Sequence, residues 1–390
     1  MTIRGRAAIA GYAELPTLRN YGERSAVGLM AEATRIAIAD AGLTREDIDG
    51  LVTGERTNSL SVAQALDLRP RYTATMTVHG ASGAASIITA AMAISSGMAN
   101  HVLCVFSEAQ PLSAEGGGRF GAGGGTLQSE WEAPFGPVVA ANGSWGLIQQ
   151  RHMFEFGTTQ EQIAKCVVDE RFNAVLNENA IWRGRPITIE DVLNSRYTND
   201  PMHLLQSTMP CHTAFATVVT SAERARALRH PPAYILGVGG PSAYHDAIWH
   251  EERITHTPVA VSAPAALRMA GYGIRDVQFA EFYDGYAMLV MVCLEDAGVC
   301  PKGEIGRFYE STDTTYRGAF PVNTDGGQLG AGWTGGGGTA GFRHVVEGAR
   351  QVMRRAGPRQ VERADLCLVN GCGGIASAMA TVVLGSEAAL

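Results

Sequence analysis

The sequence has 390 residues, of which 46% are hydrophobic and 18% charged, with a net charge of -7. This length and composition exclude a small single module and a mainly disordered chain, because such a chain can bury enough apolar surface to offset its ordering entropy. The negative charge, with no run of lysines and arginines, argues against nucleic acid as a partner.

Seven cysteines are scattered along the chain without a Cys-x-x-Cys pair. This pattern fits neither a disulfide framework nor a zinc site and favours a reducing compartment. The first residues lack the apolar stretch of a signal peptide, and no apolar run is long enough to span a bilayer. We therefore expect a cytoplasmic protein that holds no metal and does not enter the membrane.

The first predicted elements alternate between strand and helix. Residues 6–12 predict a buried strand, and the apolar spacing over 25–41 predicts a helix that ends at Gly42. A short strand follows over 47–54. This β-α-β order predicts a parallel sheet.

A second strand and helix meet at a glycine turn. The strand covers 75–79 and the turn 80–83, and the helix over 84–96 is apolar on every side, as a buried helix is. A strand over 101–107 follows. The helix N-terminus carries unpaired N–H groups and partial positive charge, so this turn is a natural place for a nucleophile or an oxyanion.

The middle of the chain differs from both ends. Residues 110–209 hold glycine clusters, tryptophans and predicted helices over 144–156 and 159–176, and a strand follows over 213–221. The second half then repeats the first with helices and strands opened by glycines, which predicts an internal duplication. Its predicted elements are strands over 234–240, 277–283, 365–370 and 376–384, helices over 262–271, 287–297 and 326–355, and a turn over 371–374.

Four ordered motifs carry a family resemblance. They are Val-His-Gly-Ala-Ser-Gly at 78–83, Glu-Phe-Tyr-Asp-Gly-Tyr at 281–286, Pro-Val-Asn-Thr-Asp-Gly-Gly-Gln-Leu-Gly at 321–330 and Asn-Gly-Cys-Gly-Gly at 370–374. Together they resemble the thiolase superfamily, in its sterol-carrier-protein and lipid-transfer-type branch.

The resemblance implies an α/β fold with five layers, α-β-α-β-α, built from two duplicated halves and an inserted loop domain. On this reading the N-terminal half covers 1–109 and 210–225. The loop domain covers 110–209, and the C-terminal half covers 226–390.

The departures from the family pattern point away from ordinary thiolase chemistry. Gly80 stands where the family has its cysteine nucleophile, and glycine cannot form an acyl-enzyme. The family's activating histidine is missing, and its position falls near Trp333. At a second position where the branch has a histidine, this chain has Tyr283. This combination resembles the thiolase-like aldolases that cleave steroid side chains. Such an enzyme is a carbon–carbon lyase that performs retro-aldol cleavage of a bulky, steroidal β-hydroxyacyl-CoA without a cysteine nucleophile.

The resemblance implies a set of site residues. Tyr283, His79 and Asp284 are the predicted catalytic residues, and Asp284 is also expected to cap the helix that follows it. Tyr283 can serve as base or proton donor if its neighbours lower its pKa. The predicted substrate-binding residues are Gly80, Ser82, His212, Asn323, Gly326, Gly327, Trp333, Cys372, Gly373 and Gly374.

Two alternative functions stay open at this point. One is an acyltransferase or thiolase that uses Ser82 or Cys372 as nucleophile. The other is a non-catalytic subunit that binds acyl-CoA. The resemblance further implies a homodimer, a CoA thioester as substrate with no resident cofactor, and an OB-fold partner protein, which in many family members holds zinc in its own chain.

Overall fold

The computed structural model describes residues 3–54, 57–109, 140–244, 251–335 and 339–390. The first part contains the elements that lead to the predicted nucleophile loop. They are β1 (Ala7–Glu14), α1 (Ala26–Ala41), β2 (Gly50–Gly54), α2 (Ser59–Ala65), β3 (Tyr72–Met76), α3 (Ser82–Ser95) and β4 (His101–Glu108).

The middle part is mainly helical and contains a separate two-stranded sheet. Its elements are α4 (Ala140–Phe156), α5 (Gln160–Val175), α6 (Ile189–Leu193), β5 (Tyr197–Asn199) and β6 (Met202–His203). The predicted helices over 144–156 and 159–176 correspond to α4 and α5. Helix α5 begins where Thr159 and Gln162 form a reciprocal capping box.

The rest of the chain closes the first half and forms the second. Its elements are β7 (Thr213–Ser221), α7 (Ala222–Arg226), β8 (Ala233–Ala243), α8 (Val259–Ala270), β9 (Phe279–Phe282), α9 (Ala287–Asp296), α10 (Ile305–Ser311), α11 (Gly327–Ala331), α12 (Thr339–Val352), β10 (Leu366–Gly373) and β11 (Ala378–Gly385).

The strand order shows the duplication that the sequence predicts. Among the described residues the main sheet runs β3-β2-β4-β7-β1-β8-β11-β10-β9. In the first half β7 lies antiparallel between β4 and β1, and in the second half β11 lies antiparallel between β10 and β8. Val322 bridges the outer side of β9 in parallel, at the place that β3 takes beside β2.

The prediction of a parallel sheet is wrong. Strands β1 and β2 point the same way, but β4 and β7 lie between them and β7 runs in the opposite direction. The sheet is therefore mixed. Sequence periodicity indicates strands and helices but does not show that a distant strand, β7, returns to separate the first two.

Helices α3 and α12 form the layer between the two halves. Their apolar residues share one core with the facing sides of β4, β7, β10 and β11. The helices approach closely at Gly83, where a Cβ would lie 2.6 Å from the backbone nitrogen of Phe342. Helix α1 covers the outer side of the first half and α8 that of the second, which completes the predicted five layers.

The predicted helix over 326–355 is two helices, α11 and α12. The break begins at Gly332, whose φ of 105° ends α11. Beyond it, the backbone of Trp333 turns away to bond Met209 and Cys211. The predicted turn over 371–374 also differs, because Cys372 and Gly373 still pair with β11.

A buried ionic network joins the two halves. Arg343 on α12 donates to Asp325 at 3.0 Å and to Glu14 on β1 at 3.0 Å. Arg350, about two turns further along α12, donates to Glu14 and to Glu347. Charges buried at this depth are tolerated only when they are paired, so the network ties β1 to the 321–326 segment.

Replacing Arg343 by alanine should lower the free energy of unfolding by about 3–5 kcal/mol, because Asp325 stays buried without an ion-pair partner and Glu14 keeps only Arg350. Denaturant unfolding followed by circular dichroism measures this. Adding Asp325→Asn should recover part of the loss, because it removes the carboxylate that lost its partner. A double variant that is less stable than R343A alone would contradict this account.

Candidate active site

The predicted nucleophile loop is a tight turn at the start of α3. Residues His79–Ala81 form one turn of 3-10 helix, and Ser82 begins α3. The Ser82 hydroxyl is buried and accepts a hydrogen bond from the backbone nitrogen of Val78 at 3.1 Å. His79 is exposed and has a φ of 48°. The Ser82 side chain therefore closes the turn that presents Gly80.

Gly80 lies directly against the ring of Tyr283. A Cβ at residue 80 would lie 2.7 Å from Tyr283 Cζ, and it would be closer still to Tyr283 Cε2 and to the carbonyl oxygen of Cys372. Atoms that are not bonded do not approach so closely. The Tyr283 ring therefore takes the space that a side chain at residue 80 would need.

Tyr283 follows β9 and is only 8% exposed. Its hydroxyl oxygen accepts a hydrogen bond from Trp333 Nε1 at 3.1 Å. Burial raises the pKa of Tyr283 above its ordinary value of about 10, and the Trp333 hydrogen bond only partly offsets this. The sequence reasoning required neighbours that lower this pKa. The structure shows the opposite, so Tyr283 is a neutral phenol at neutral pH.

Asp284 is fully buried and caps a helix, but not the one predicted. Its Oδ2 accepts hydrogen bonds from the backbone nitrogens of Gln328 at 2.7 Å and Leu329 at 2.9 Å, at the start of α11. Helix α9, which follows Asp284 in sequence, begins without a side-chain cap. Asp284 thus ties the 283–286 loop to the 321–330 motif.

Asn323 fixes the 321–330 motif against β9. Its Oδ1 accepts from the backbone nitrogen of Phe282 at 2.7 Å, and its Nδ2 donates to the Phe282 carbonyl at 2.9 Å. Gly326 and Gly327 have positive φ. A Cβ on Gly327 would meet the Asp284 carboxylate, and one on Gly326 would meet Ala174 of α5. Both glycines allow close packing around the site.

The closing motif faces Gly80 from the other side. Cys372 is buried, and its carbonyl oxygen lies beside Gly80. A Cβ on Gly373 would meet the Val78 carbonyl and lie 3.4 Å from His79 Cβ. Gly374 has a φ of 61° and begins the turn into β11. The backbone of this motif thus packs against the nucleophile loop.

His212 lies beside the segment that carries Trp333. Next to it, the backbone nitrogen of Cys211 donates to the Trp333 carbonyl at 2.7 Å, and the Trp333 nitrogen donates to Met209 at 3.0 Å. His212 is buried, and burial lowers its pKa. The structure therefore gathers Gly80, Tyr283, Trp333 and the closing motif, with His212 attached through the backbone.

The sequence did not predict two buried side chains at this site, Glu170 and His344. Glu170 accepts a hydrogen bond from Asn323 Nδ2 at 2.9 Å, and the His344 ring centre lies 6.1 Å from that of Tyr283. Glu170 comes from α5, whose approach to the site no motif indicated. His344 follows by three residues Gly341, which packs against the Gly80 carbonyl, and this helical spacing places both on the same face of α12.

Some predicted features lie outside the described residues. They are the glycine clusters of the 110–209 region, at 116–118 and 123–125. Within the described ranges, no group of three His, Cys, Asp or Glu side chains is arranged to hold a metal ion. None of the helices described is long and apolar enough to cross a membrane.

The fold and the site define a thiolase-fold protein in which a tyrosine ring fills the nucleophile's place. The thiolase C-terminal domain-like family model matches residues 240–386. A steroid side-chain-cleaving aldolase of Thermomonospora curvata is 34% identical over 339 residues, covering 84% of this chain and 86% of the relative. A 17-hydroxy-3-oxo-4-pregnene-20-carboxyl-CoA lyase of Mycobacterium tuberculosis is 31% identical, covering 90% and 92%.

The solved structure of an Ltp2-ChsH2(DUF35) aldolase matches with a TM-score of 0.89 and 31% identity over 99% of both chains. This chain belongs to the thiolase superfamily, in its branch of thiolase-fold aldolases. It is a carbon–carbon lyase by class, as the sequence predicts.

Gly80→Ala should destabilise the protein by about 1–3 kcal/mol, because the new methyl group overlaps Tyr283 and the Cys372 carbonyl. Gly28→Ala is the matched control, since a Cβ there makes only an ordinary 3.4 Å contact inside α1. Denaturant unfolding of G80A, Tyr283→Ala and the double variant measures the coupling. The double variant should lose less than the sum of the singles, and strict additivity would mean that the ring does not occupy this space.

Proposed function

We propose that this chain catalyses the retro-aldol cleavage of a bulky β-hydroxyacyl-CoA with a steroid nucleus. The observation that carries the proposal is the Tyr283 ring packed against Gly80, which removes the nucleophile and leaves a phenol in its place. The steroid substrate is inferred from the names of the two curated relatives, an aldolase and a lyase.

The reaction needs no covalent intermediate. The substrate β-hydroxyl passes its proton to a base, the Cα–Cβ bond breaks and its electron pair forms a thioester enolate, and Cα then takes a proton from a general acid. The products are a ketone and a shortened acyl-CoA. Backbone N–H groups of the glycine turns are suited to hold the enolate oxygen, and one such donor contributes about 3–4 kcal/mol.

Tyr283 is suited to be the proton donor. Its oxygen already accepts a hydrogen bond from Trp333, so its own O–H is left to point at the substrate. Because burial raises its pKa, the phenol keeps its proton until the more basic enolate carbon forms. The proposed site thus pairs a tyrosine with a tryptophan that donates to it. His79 lies on the Gly80 loop and is exposed, so it is the candidate base for the β-hydroxyl of the substrate.

The acyltransferase alternative gains no support from the geometry. The Ser82 hydroxyl is buried within its own turn, and Cys372 is buried behind Gly80. A covalent acyl adduct, detected by mass spectrometry after incubation with acyl-CoA, would support the acyltransferase function.

The assembly is part of the proposal. We infer a cytoplasmic homodimer that binds its CoA thioester without a resident cofactor and works with an OB-fold partner protein. The name of the matching solved aldolase joins Ltp2 to ChsH2(DUF35), which supports a partner of this kind. Co-purification with a candidate OB-fold protein tests the partner, and light scattering tests the homodimer.

Tyr283→Phe should lower turnover at least about 100-fold, because it removes a general acid and leaves the packing of the ring intact. The assay is mass spectrometry of a steroid β-hydroxyacyl-CoA with a tertiary hydroxyl, with acetoacetyl-CoA and free CoA as the second substrate pair. Tyr234→Phe, a buried tyrosine on β8, is the control. Thiolysis of acetoacetyl-CoA would disprove the lyase assignment, and no product from either substrate would favour an acyl-CoA-binding subunit.

Trp333→Phe should lower kcat about 2- to 10-fold with little change in KM. It removes the hydrogen bond that lowers the pKa of Tyr283, so the phenol becomes a weaker acid. Trp182→Phe is the matched control, because that indole packs against Arg171 and Arg185. Equal kcat values for W333F and the wild type would show that the indole does not act on Tyr283.

A further inference from the structure

Glu170 and His344 meet Asp284 behind Tyr283 and come from different parts of the chain. Glu170 lies on α5 of the middle part, and His344 lies on α12 between the two halves. Glu170 is buried, and His344 and Asp284 are fully buried. Neither side chain has a part in the proton transfers described above.

Asp284 is held from two directions. Its Oδ2 accepts the two backbone N–H groups that begin α11. Its Oδ1 lies 3.2 Å from His344 Nε2, within hydrogen-bond distance of the imidazole. That nitrogen is also 3.2 Å from Gln328 Nε2. The imidazole therefore lies between the carboxylate and the first turn of α11.

Glu170 contacts both Asn323 and Asp284. Its Oε1 accepts from Asn323 Nδ2 at 2.9 Å, and its side chain also shares a hydrogen bond with the Asp284 carboxyl group. Two buried carboxyl groups in hydrogen-bond contact require a proton between them, because ionised carboxylates only accept. Burial and the Asp284 charge raise the pKa of Glu170, so Glu170 holds that proton. Burial opposes ionisation of Asp284, but hydrogen bonds from His344 and Glu170 outweigh it, and its pKa is lowered.

We propose that Glu170, as a neutral carboxylic acid, and His344 are positioning residues that hold the Asp284 carboxylate behind Tyr283. The carboxylate joins the 283–286 loop to α11, and the segment after α11 carries Trp333. The three side chains thereby keep the Trp333 indole at hydrogen-bond distance from the Tyr283 hydroxyl. The effect on turnover rests on the proposed lyase function.

The first test compares variants at residue 170. Glu170→Ala lowers kcat at least about 30-fold with KM within about threefold, because the loop shifts but the substrate surface stays. Glu170→Gln restores kcat to within about threefold of the wild type, since its amide accepts from Asn323 and donates to Asp284 as a neutral acid does. His344→Ala and His344→Gln follow the same pattern, because glutamine Nε2 replaces the imidazole nitrogen. An E170Q enzyme as slow as E170A overturns the proposal.

A second test needs no substrate. A proton held by Glu170 only in the folded state makes stability fall as pH rises above its ordinary pKa of about 4.3. Above pH 5, and up to the raised pKa of Glu170, the unfolding constant of the wild type therefore rises about tenfold per pH unit relative to that of E170Q. The titratable groups that face Glu170 are Asp284, Cys166 and Tyr309, and both proteins share them.

Reversible denaturant unfolding at four pH values measures this difference. Parallel stability curves for the two proteins show that Glu170 is ionised and overturn the proposal. Divergent curves with an inactive wild type leave the buried acid established and reject only the lyase function.

Discussion

The contact between Gly80 and Tyr283 governs the arrangement of the site. The two residues come from different halves of the chain, and only one side chain fits between them. With glycine at 80, the phenol ring can occupy the space that a side chain there would need, which the carbonyl of Cys372 also borders. The absence of a nucleophile at residue 80 and the presence of the phenol are therefore one structural change. Trp333 completes it by binding the phenol oxygen.

Buried ionic groups fix the backbone segments on which this contact depends. Arg343, Glu14 and Asp325 hold the 321–326 segment to β1, and Asp284 holds the next residues through the start of α11. Such networks gain little stability relative to apolar packing, because desolvation offsets most of the attraction. Their directional hydrogen bonds do define geometry. The 321–330 motif carries the positive-φ residues Asn323, Gly326 and Gly327, so its backbone depends on these hydrogen bonds.

Local patterns predicted much of this fold. Helix α1, with its Ser25 cap and Gly42 end, and the buried α3 follow from periodicity and end signals, and the repeated motifs indicated the duplication. The strand order did not follow, because the pairing of β7 between β4 and β1 depends on contacts more than 100 residues apart. For the same reason the sequence identified Tyr283 and Trp333 but not the raised pKa of Tyr283. Glu170 and His344 were missed because the helices that carry them reach the site only through tertiary packing.

The strand pairing between the halves has a consequence for the architecture. Strands β1 and β8 are joined by only two residue pairs, Ala8 with Tyr234 and Ile9 with Ala233. This pairing alone would hold the halves weakly, and the core shared by α3 and α12 and the Arg343 network add to it. Here the interface is also the site, because Gly80 belongs to one half and Tyr283 and Cys372 to the other. Neither half alone holds both the glycine and the tyrosine, so the tyrosine site exists only while the two halves are held together.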